Sequence, residues 1–247
     1  SESDLWSWGG AAAALPAGTY RIDATLPEAA ATRAALGWAL GRYAFTRYRA
    51  NDGATRDLVW PGGADRVHVE AAAGGVSLAR DLINTPASDM GPEELAAAAG
   101  TLAEEFGAAC EIVVGDALIE QGFPAIHAVG RAAAQAPRLI DFAWGDPASP
   151  RVTLVGKGVC FDSGGLDLKS ASAMKLMKKD MGGAAVALGL ARMIMASDLP
   201  VRLRVLVPAV ENSVAGNAMR PLDVLRTRKG LSVEIGNTDA EGRLVLA

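Results

Sequence analysis

Half of the 247 residues are hydrophobic, 21% are charged, and the formal net charge at pH 7 is −4. This composition excludes a disordered or fibrous chain and predicts a globular protein with one large core or two modest ones. The interspersed charges exclude a basic face for nucleic acid, and no run of about eighteen apolar residues could span a bilayer. We therefore expect a small molecule or a peptide as partner and the cytoplasm as location.

The N-terminal part predicts one long helix followed by a loop. Residues 29–49 carry apolar side chains at helical spacing with arginines on one side, which indicates an amphipathic helix. The stretch that begins at Asn51 is rich in Gly, Pro and Asp and predicts a loop, and the alternation at 66–69 predicts a short strand. We place a boundary after residue 75. It separates 1–75, part of a smaller α/β N-terminal domain with a linking helix, from a catalytic domain at 76–247.

The second part alternates helices with short apolar strands. Two helices are expected within residues 77–106, the second with Ser88 or Asp89 as N-cap, Pro92 in its first turn and Glu93 and Glu94 near its N-terminus. The strands are expected at "CEIVVG", "RLIDFAW", "RVTLVG" and "VRLRVLVPAV", and a further helix at "AAVALGLARMIMAS". This order predicts an α/β fold with a mainly parallel central sheet covered by helices.

The two cysteines, Cys110 and Cys160, lie far apart in the sequence. Two isolated thiols do not form a disulfide framework and suit a reducing cytosol. Each is expected to be a small buried apolar residue.

Residues 155–183, "VGKGVCFDSGGLDLKSASAMKLMKKDMGG", join a strand to a helix. Ligand sites of open α/β sheets lie at such carboxyl ends of strands. Lys157, Asp162, Lys169 and Asp180 stand here among glycine pairs that permit close approach of the backbone. The segment lacks the phosphate-binding pattern G-x-x-x-x-G-K-[ST], and neither histidine of the chain belongs to an H-E-x-x-H motif. An ion or substrate site is therefore preferred over a solvated loop.

A second acidic cluster, "NTDAEGRL" at 237–244, contains Asp239 and Glu241 with Arg243 two positions further on. Residues two apart in an extended turn face the same side, so the two carboxylates should point together. Several carboxylates without imidazole favour a di-metal centre, in which the ions lie about 3.5 to 4 Å apart. Oxygen ligands suit Mg²⁺ and Mn²⁺ best, and Zn²⁺ also accepts them.

The segments "VGKGVCFDSGGLDLK", "MKKDMGG" and "NTDAEGRL" resemble the leucine aminopeptidases, a family of two-metal cytosolic exopeptidases. The segments "GWALGRYAFTRYR", "ARDLINTPASDMGPEELA" and "AGNAMRPLDV" also resemble this family, and only the first 30 or so residues give no clear match. The resemblance implies a metal-dependent aminopeptidase that removes leucine-like residues from the N-terminus of peptides with a metal-bridging water. It also implies a cytoplasmic homohexamer.

Metal ligands follow from the resemblance position by position. It implies that Lys157, Asp162 and Asp180 bind one ion, that Asp239 and Glu241 bind the other, and that Asp162 and Glu241 bridge the pair. The cofactors are then two divalent ions, Zn²⁺ or Mn²⁺, with Mg²⁺ as an alternative. Lysine binds a metal only as the neutral amine, which two nearby cations would favour.

The catalytic residues implied by the resemblance are Lys169 and Arg243. Protonated Lys169 would stabilise the oxyanion, and Arg243 would hold a bicarbonate ion that acts as general base toward the bridging water. Substrate binding is assigned to Met177, Lys169 and Asn237. For Met177, packing with Met174 in the core is the alternative.

Two other classes of function compete with the aminopeptidase. Some relatives of the family bind DNA as hexamers, but the acidic charge balance argues against nucleic acid here. An inactive structural relative is the other alternative, and the intact matches at all seven metal and catalytic positions argue against it. Because the chain begins at Ser1 and stops on the apolar "GRLVLA", we expect further sequence on both sides.

Overall fold

The computed structural model describes residues 4–49 and 55–247. Helices and strands alternate along the chain, which confirms the predicted α/β class. The α-helices are α1 (Leu5–Ala14), α2 (Glu28–Gly41), α3 (Arg66–Asn84), α4 (Pro92–Glu105), α5 (Ala117–Glu120), α6 (Pro124–Gly130), α7 (Ala171–Met174), α8 (Gly182–Ala196) and α9 (Gly242–Val245). The strands are β1 (Gly18–Tyr20), β2 (Arg56–Leu58), β3 (Ala109–Val114), β4 (Arg138–Trp144), β5 (Arg151–Val155), β6 (Gly158–Asp162), β7 (Arg202–Asn212), β8 (Val224–Arg226) and β9 (Ser232–Glu234). Within the two described ranges, no helix is both long enough and apolar enough to cross a bilayer.

Helices α1 and α2 pack closely at the N-terminal side, beside the parallel pair β1 and β2. A Cβ atom on Gly41 would lie 2.2 Å from the carbonyl oxygen of Gly9, so glycine is required at this crossing. The helix predicted over 29–49 ends at Gly41, because the chain then turns back and the hydroxyl of Tyr43 donates to Asp81 of α3 at 2.7 Å. Of the loop predicted from Asn51, residues 51–54 lie outside the described residues.

Residues 66–69, predicted as a strand, form the first turn of α3. The carboxylate of Asp65 accepts the backbone N–H of His68 at 3.0 Å and caps the helix, and the buried positions that follow recur at helical spacing. Helix α3 crosses α8 at Gly75 and Gly189, where a Cβ on either would lie 2.5 Å from the carbonyl oxygen of the other. Because α3 is continuous from residue 66 to 84, the domain boundary after residue 75 stays a prediction.

Helix α4 begins at Pro92, as its sequence predicts, but Gly91 is its N-cap in place of Ser88 or Asp89. Residues 87–89 form a separate 3₁₀ turn, which keeps them out of the helix. The N–H of Gly91 donates to the carboxylate of Glu94 at 3.0 Å and closes the first turn.

The central sheet has the order β3-β4-β7-β5, and β6 also pairs with β7. Strands β5 and β6 run parallel to successive halves of β7, whereas β3–β4 and β4–β7 are antiparallel. The sheet is therefore mixed, which corrects the prediction of a mainly parallel sheet. Alternation of strands and helices does not determine strand direction. After β3, helices α5 and α6 lead the chain into β4, which runs antiparallel to β3, and β7 later pairs between β4 and β5.

Two hydrophobic clusters cover the two faces of the sheet. One face contributes Leu203, Val205 and Val207 of β7 and packs against α3, α4 and α8. The other face is covered only near the carboxyl end of β7, where Val210 packs with residues of α5, α6 and α9. The carboxyl ends of β6 and β7 therefore lie between two packed layers.

Both cysteines are free thiols, but only Cys160 is buried as expected. Cys160 lies on β6 inside the first cluster. Cys110 is exposed because β3 is an edge strand of the sheet.

Candidate metal centre

The predicted site residues meet at the carboxyl ends of β6 and β7. Parallel pairing places Asp162, the last residue of β6, opposite Asn212, the last residue of β7. The 3₁₀ helices Met177–Met181 and Thr238–Ala240 bring Asp180 and Asp239 to the same place. Segments far apart in sequence thus form one site at the edge where α/β sheets bind ligands.

Lys157 is the centre of one group of charges. Its Nζ atom lies 2.8 Å from Oδ2 of Asp180 and 2.6 Å from Oε1 of Glu241. Glycines make room for this lysine, since a Cβ on Gly242 would lie 2.9 Å from Nζ and one on Gly183 would lie 2.9 Å from the Lys157 backbone nitrogen. Side chains at either glycine would displace the lysine from the carboxylates.

Lys169 is the centre of the second group. Its Nζ atom lies 3.0 Å from Oδ2 of Asp162 and also donates a hydrogen bond to Asp239. The other oxygen of Asp162, Oδ1, accepts the N–H of Gly164 at 2.9 Å and the side-chain amide of Asn212 at 2.8 Å. Two hydrogen bonds therefore hold Oδ1 of Asp162, and Oδ2 faces Lys169.

The two groups converge on one point. One carboxylate oxygen from each of Asp162, Asp239 and Glu241 lies within 4.8 Å of the other two. With Asp180, four carboxylates face two ammonium groups, which leaves an excess of negative charge. Oδ2 of Asp180 is buried and, although close to Lys157, accepts no hydrogen bond from any described residue. Oxygen ligands and excess negative charge fit divalent metal ions.

Burial and hydrogen bonding between the charged groups shift the pKa values of this cluster in opposite directions. Burial raises the pKa of Glu241, and the hydrogen bond from Lys157 opposes that rise only in part. Burial would lower the pKa of Lys157, but its hydrogen bonds to Asp180 and Glu241 outweigh this, and the net pKa is raised. The pKa of Lys169 is raised in the same way by Asp239 and Asp162. Both lysines are therefore protonated without metal, and Lys157 must lose a proton before its nitrogen can bind a cation.

The "NTDAEGRL" segment is helical and not the extended turn predicted. Residues Thr238–Ala240 form a 3₁₀ helix and α9 follows directly. The side chain of Asn237 accepts the N–H of Asp239 at 2.7 Å and starts this turn. Helical turns place Asp239 beside Lys169 and Glu241 beside Lys157, so the two carboxylates still face one site.

Two residues predicted to act on substrate or bicarbonate lie in the helices that flank the cluster. Arg243 is an exposed residue of α9 and forms no ion pair with any residue that the structure describes. Met177 begins its 3₁₀ helix and is half-buried, and it belongs to neither hydrophobic cluster. Their roles, and those of the five metal ligands, Lys169 and Asn237, stay predictions.

The sequence alone did not point to three residues that hold the site together. Asp167 is half-buried, and its Oδ2 accepts the N–H of Thr238 at 2.7 Å. The buried Thr238 hydroxyl donates to the carbonyl of Gly164 at 2.6 Å, and the side chain of Asn212 reaches both Asp162 and the Thr238 carbonyl. Only the pairing of β6 with β7 could have indicated Asn212, and the sequence does not show that pairing.

Two family models and curated relatives match this chain. Residues 77–247 match the model of the catalytic domain of the cytosol aminopeptidase family, and residues 1–61 match that of the M17 aminopeptidase N-terminal domain. A probable cytosol aminopeptidase of Syntrophotalea carbinolica is 46% identical over 175 residues, which are 70% of this chain and 35% of that protein.

Solved structures show the same likeness over the whole chain. The crystal structure of a cytosol aminopeptidase from Coxiella burnetii matches with a TM-score of 0.94 and 51% identity, over 100% of this chain and 54% of that one. The bottromycin maturation enzyme BotP, in complex with Mn, matches with a TM-score of 0.86 and 37% identity, over 99% of this chain and 56% of that one. The chain thus spans about half of these solved relatives and about a third of the curated one.

Proposed function

The chain belongs to the cytosol aminopeptidase family, and on that premise we propose that it carries the metal site of a metal-dependent aminopeptidase. The reaction is hydrolysis of the N-terminal peptide bond, with leucine and similar residues preferred at the N-terminus. The observation that supports it is the convergence of Asp162, Asp239 and Glu241 beside two lysines at the carboxyl ends of β6 and β7. The cytoplasmic location, the homohexamer and the division at residues 75 and 76 belong to the same proposal.

Five residues would hold two divalent ions, Zn²⁺ or Mn²⁺: Lys157, Asp162, Asp180, Asp239 and Glu241. When bound, such ions polarise a carbonyl oxygen and lower the pKa of water to about 7. The chain supplies the excess negative charge that attracts the ions. It also supplies Lys157, which would have to release its proton to serve as a ligand.

Lys169 is the residue that we assign to the reacting carbonyl. In the metal-free protein its pKa is raised by the neighbouring carboxylates, so it is protonated there at neutral pH. An ammonium group held in place can stabilise negative charge that develops on the carbonyl oxygen. Arg243 offers an exposed guanidinium fork that suits a bicarbonate ion. Met177, Asn237 and Lys169 are assigned to substrate binding, with Met177 in the pocket for the N-terminal side chain.

Hydrolysis of a leucine anilide by the full protein tests the proposal. Chelation should abolish hydrolysis, and Mn²⁺ or Zn²⁺ should restore it. Lys169→Ala should lower kcat about 10²- to 10³-fold, as loss of one oxyanion donor does. Lys175→Ala is the matched control because Lys175 is an exposed lysine of the same segment, and it should retain activity. Unchanged hydrolysis in Lys169→Ala would refute the role of this lysine.

A further inference from the structure

Asn212 joins the two halves of the metal site through one side-chain amide. Its Nδ2 atom donates to Oδ1 of Asp162 at 2.8 Å and to the carbonyl oxygen of Thr238 at 3.1 Å. Asp162 belongs to the first metal-binding segment and Thr238 precedes Asp239 in the second. Asn212 is 2% exposed, so water does not compete for these bonds.

The orientation of this amide is fixed by its partners. Both partners are acceptors, so the nitrogen must face them, and its two protons match the two acceptors. The backbone carbonyl of Asn212 accepts the N–H of Ser163 at 3.1 Å and the Ser163 hydroxyl at 2.7 Å. Strand pairing and side-chain bonds therefore hold Asn212 in one position relative to Asp162.

Asn212 restrains the carboxylate of Asp162. Oδ1 of Asp162 accepts two N–H groups, from Gly164 and from Asn212. These two bonds fix the plane of the carboxylate and leave Oδ2 directed at Lys169 and the metal site. Without Asn212, a single N–H would hold Oδ1, and the carboxylate could rotate.

The hydrogen bond from Asn212 to the Thr238 carbonyl restrains the segment 237–244, which carries Asp239 and Glu241. The carbonyl of Thr238 lies at the start of the 3₁₀ turn that carries Asp239 and leads to Glu241. The amide of Asn212 holds this turn at a fixed distance from Asp162, and the three carboxylate oxygens then lie within 4.8 Å of one another. One side chain thus sets the position of two ligand segments that are separated by more than seventy residues.

We propose that Asn212 is a positioning residue of the metal centre, which orients Asp162 and fixes its distance from Asp239 and Glu241. The proposal rests on the proposed function only in that the cluster binds divalent metal. It assigns no contact with substrate to Asn212. Loss of a residue that orients metal ligands typically costs about 10- to 100-fold in metal affinity.

The test is titration of the metal-free full protein with Mn²⁺ by calorimetry, for wild type and for Asn212→Ala. The variant should bind Mn²⁺ about 10- to 100-fold more weakly. The visible spectrum of bound Co²⁺ should also change, since it reports the geometry of the ligands. Hydrolysis of leucine anilide by the variant should recover in part at high Mn²⁺, because metal loading is the step affected.

Asn217→Ala is the matched control. Asn217 is exposed, and its amide donates to a single carbonyl, that of Arg131, at 2.7 Å. This variant should bind Mn²⁺ as the wild type does. If Asn212→Ala is less stable to urea but retains the wild-type Mn²⁺ affinity and Co²⁺ spectrum, Asn212 is only a structural residue and the proposal is overturned.

If Asn212→Ala does not fold, amide exchange and chemical shifts of the wild type test the positioning role of Asn212. In protein labelled with ¹⁵N-asparagine, the side-chain amide of Asn212 should exchange slowly with solvent and shift when Zn²⁺ is added. Rapid exchange and no shift would contradict the proposal. If the wild type binds Mn²⁺ but hydrolyses no peptide, the proposed function fails, whereas weaker binding by Asn212→Ala would still support the positioning role.

Discussion

Similar charged side chains lie near the two ends of β7, in different surroundings. At the amino end, Arg204 forms a two-point ion pair with Asp141, with Nε 2.9 Å from Oδ1, and the arginine side chain is 54% exposed. At the carboxyl end, Lys157 pairs with Glu241, whose side chain is only 2% exposed. The cavity at the amino end measures about 500 Å³, yet each charge of its Arg204–Asp141 pair is already matched.

The difference shows what makes a cluster of charges a candidate metal site. Charged residues are present at both ends, but only the carboxyl end combines burial with more carboxylates than ammonium groups. Exposed ion pairs contribute little because water screens them, whereas buried charges without full compensation are costly. The carboxyl end therefore gains most from a cation.

The largest expected effect comes from removing the positive charge at each end. In metal-free protein, Lys157→Met should lower the free energy of unfolding by about 2 to 4 kcal/mol, because Glu241 and Asp180 lose their counter-charge. Arg204→Met, the matched change at the exposed pair, should cost less than about 1 kcal/mol. Urea unfolding with a chelator present measures both. Equal losses would show that burial does not distinguish the two ends.

Removal of the Thr238 hydroxyl tests whether a buried hydrogen bond at the carboxyl end of β7 also contributes more than an exposed one near the amino end. Thr238→Val keeps the shape of a fully buried side chain but leaves the carbonyl of Gly164 and the N–H of Asp167 without their partner. The loss should be about 1 to 3 kcal/mol in the same unfolding measurement. Thr153→Val, at an exposed position of β5 near the amino end of β7, should change stability by less than about 0.5 kcal/mol. A similar small change in Thr238→Val would show that the hydrogen bonds of its hydroxyl to Gly164 and Asp167 do not stabilise the fold.

The sequence predicted the residues at the carboxyl end better than the arrangement that joins them. The α/β class and the strands β3, β4, β5 and β7 follow from apolar runs and turn residues, which are local signals. Strand direction and strand order depend on tertiary packing, so a mixed sheet looked mainly parallel. The strand predicted at 66–69 shows the same limit, because the capping of α3 by Asp65 and its burial against α8 override a brief alternation.

Specific motifs identified the charged residues of the site, whereas its supporting residues depend on contacts distant in sequence. Lys157, Asp162 and Glu241 belong to motifs that can be recognised from the sequence. Asn212 ends an apolar strand and looks like a solvated terminus until β6 is placed beside it. The bond between Asp167 and Thr238 joins residues far apart in the chain, so the sequence does not show it.

Thiol labelling compares the opening of β6 with that of the sheet edge. Cys160 is 1% exposed and lies two residues before Asp162, so β6 must open before a thiol reagent can react, and opening separates Asp162 from the other ligands. Mn²⁺ at about ten times its Kd should therefore slow labelling of Cys160 about tenfold. Cys110 is exposed on β3 and should react at the same rate with and without Mn²⁺. Equal slowing of both thiols would indicate a general effect of the ion.

The smallest expected effect is on the pH dependence of stability, because the hydrogen bond from Lys157 opposes the effect of burial on Glu241. The pKa of Glu241 in the folded protein is raised above the ordinary value of 4.5. The folded state therefore binds the proton more tightly than the unfolded state does. The stability that this group contributes is fully present below the unfolded pKa and is lost as pH rises through the folded pKa. Glu241→Gln cannot ionise at this position, so its stability relative to metal-free wild type should increase as pH rises from about 4 to 8, measured by urea unfolding. A difference that is independent of pH would mean that the metal-free protein tolerates the Glu241 carboxylate as well as water does. The buried excess of negative charge at the carboxyl end of β7 would then fail to explain why a cation binds there.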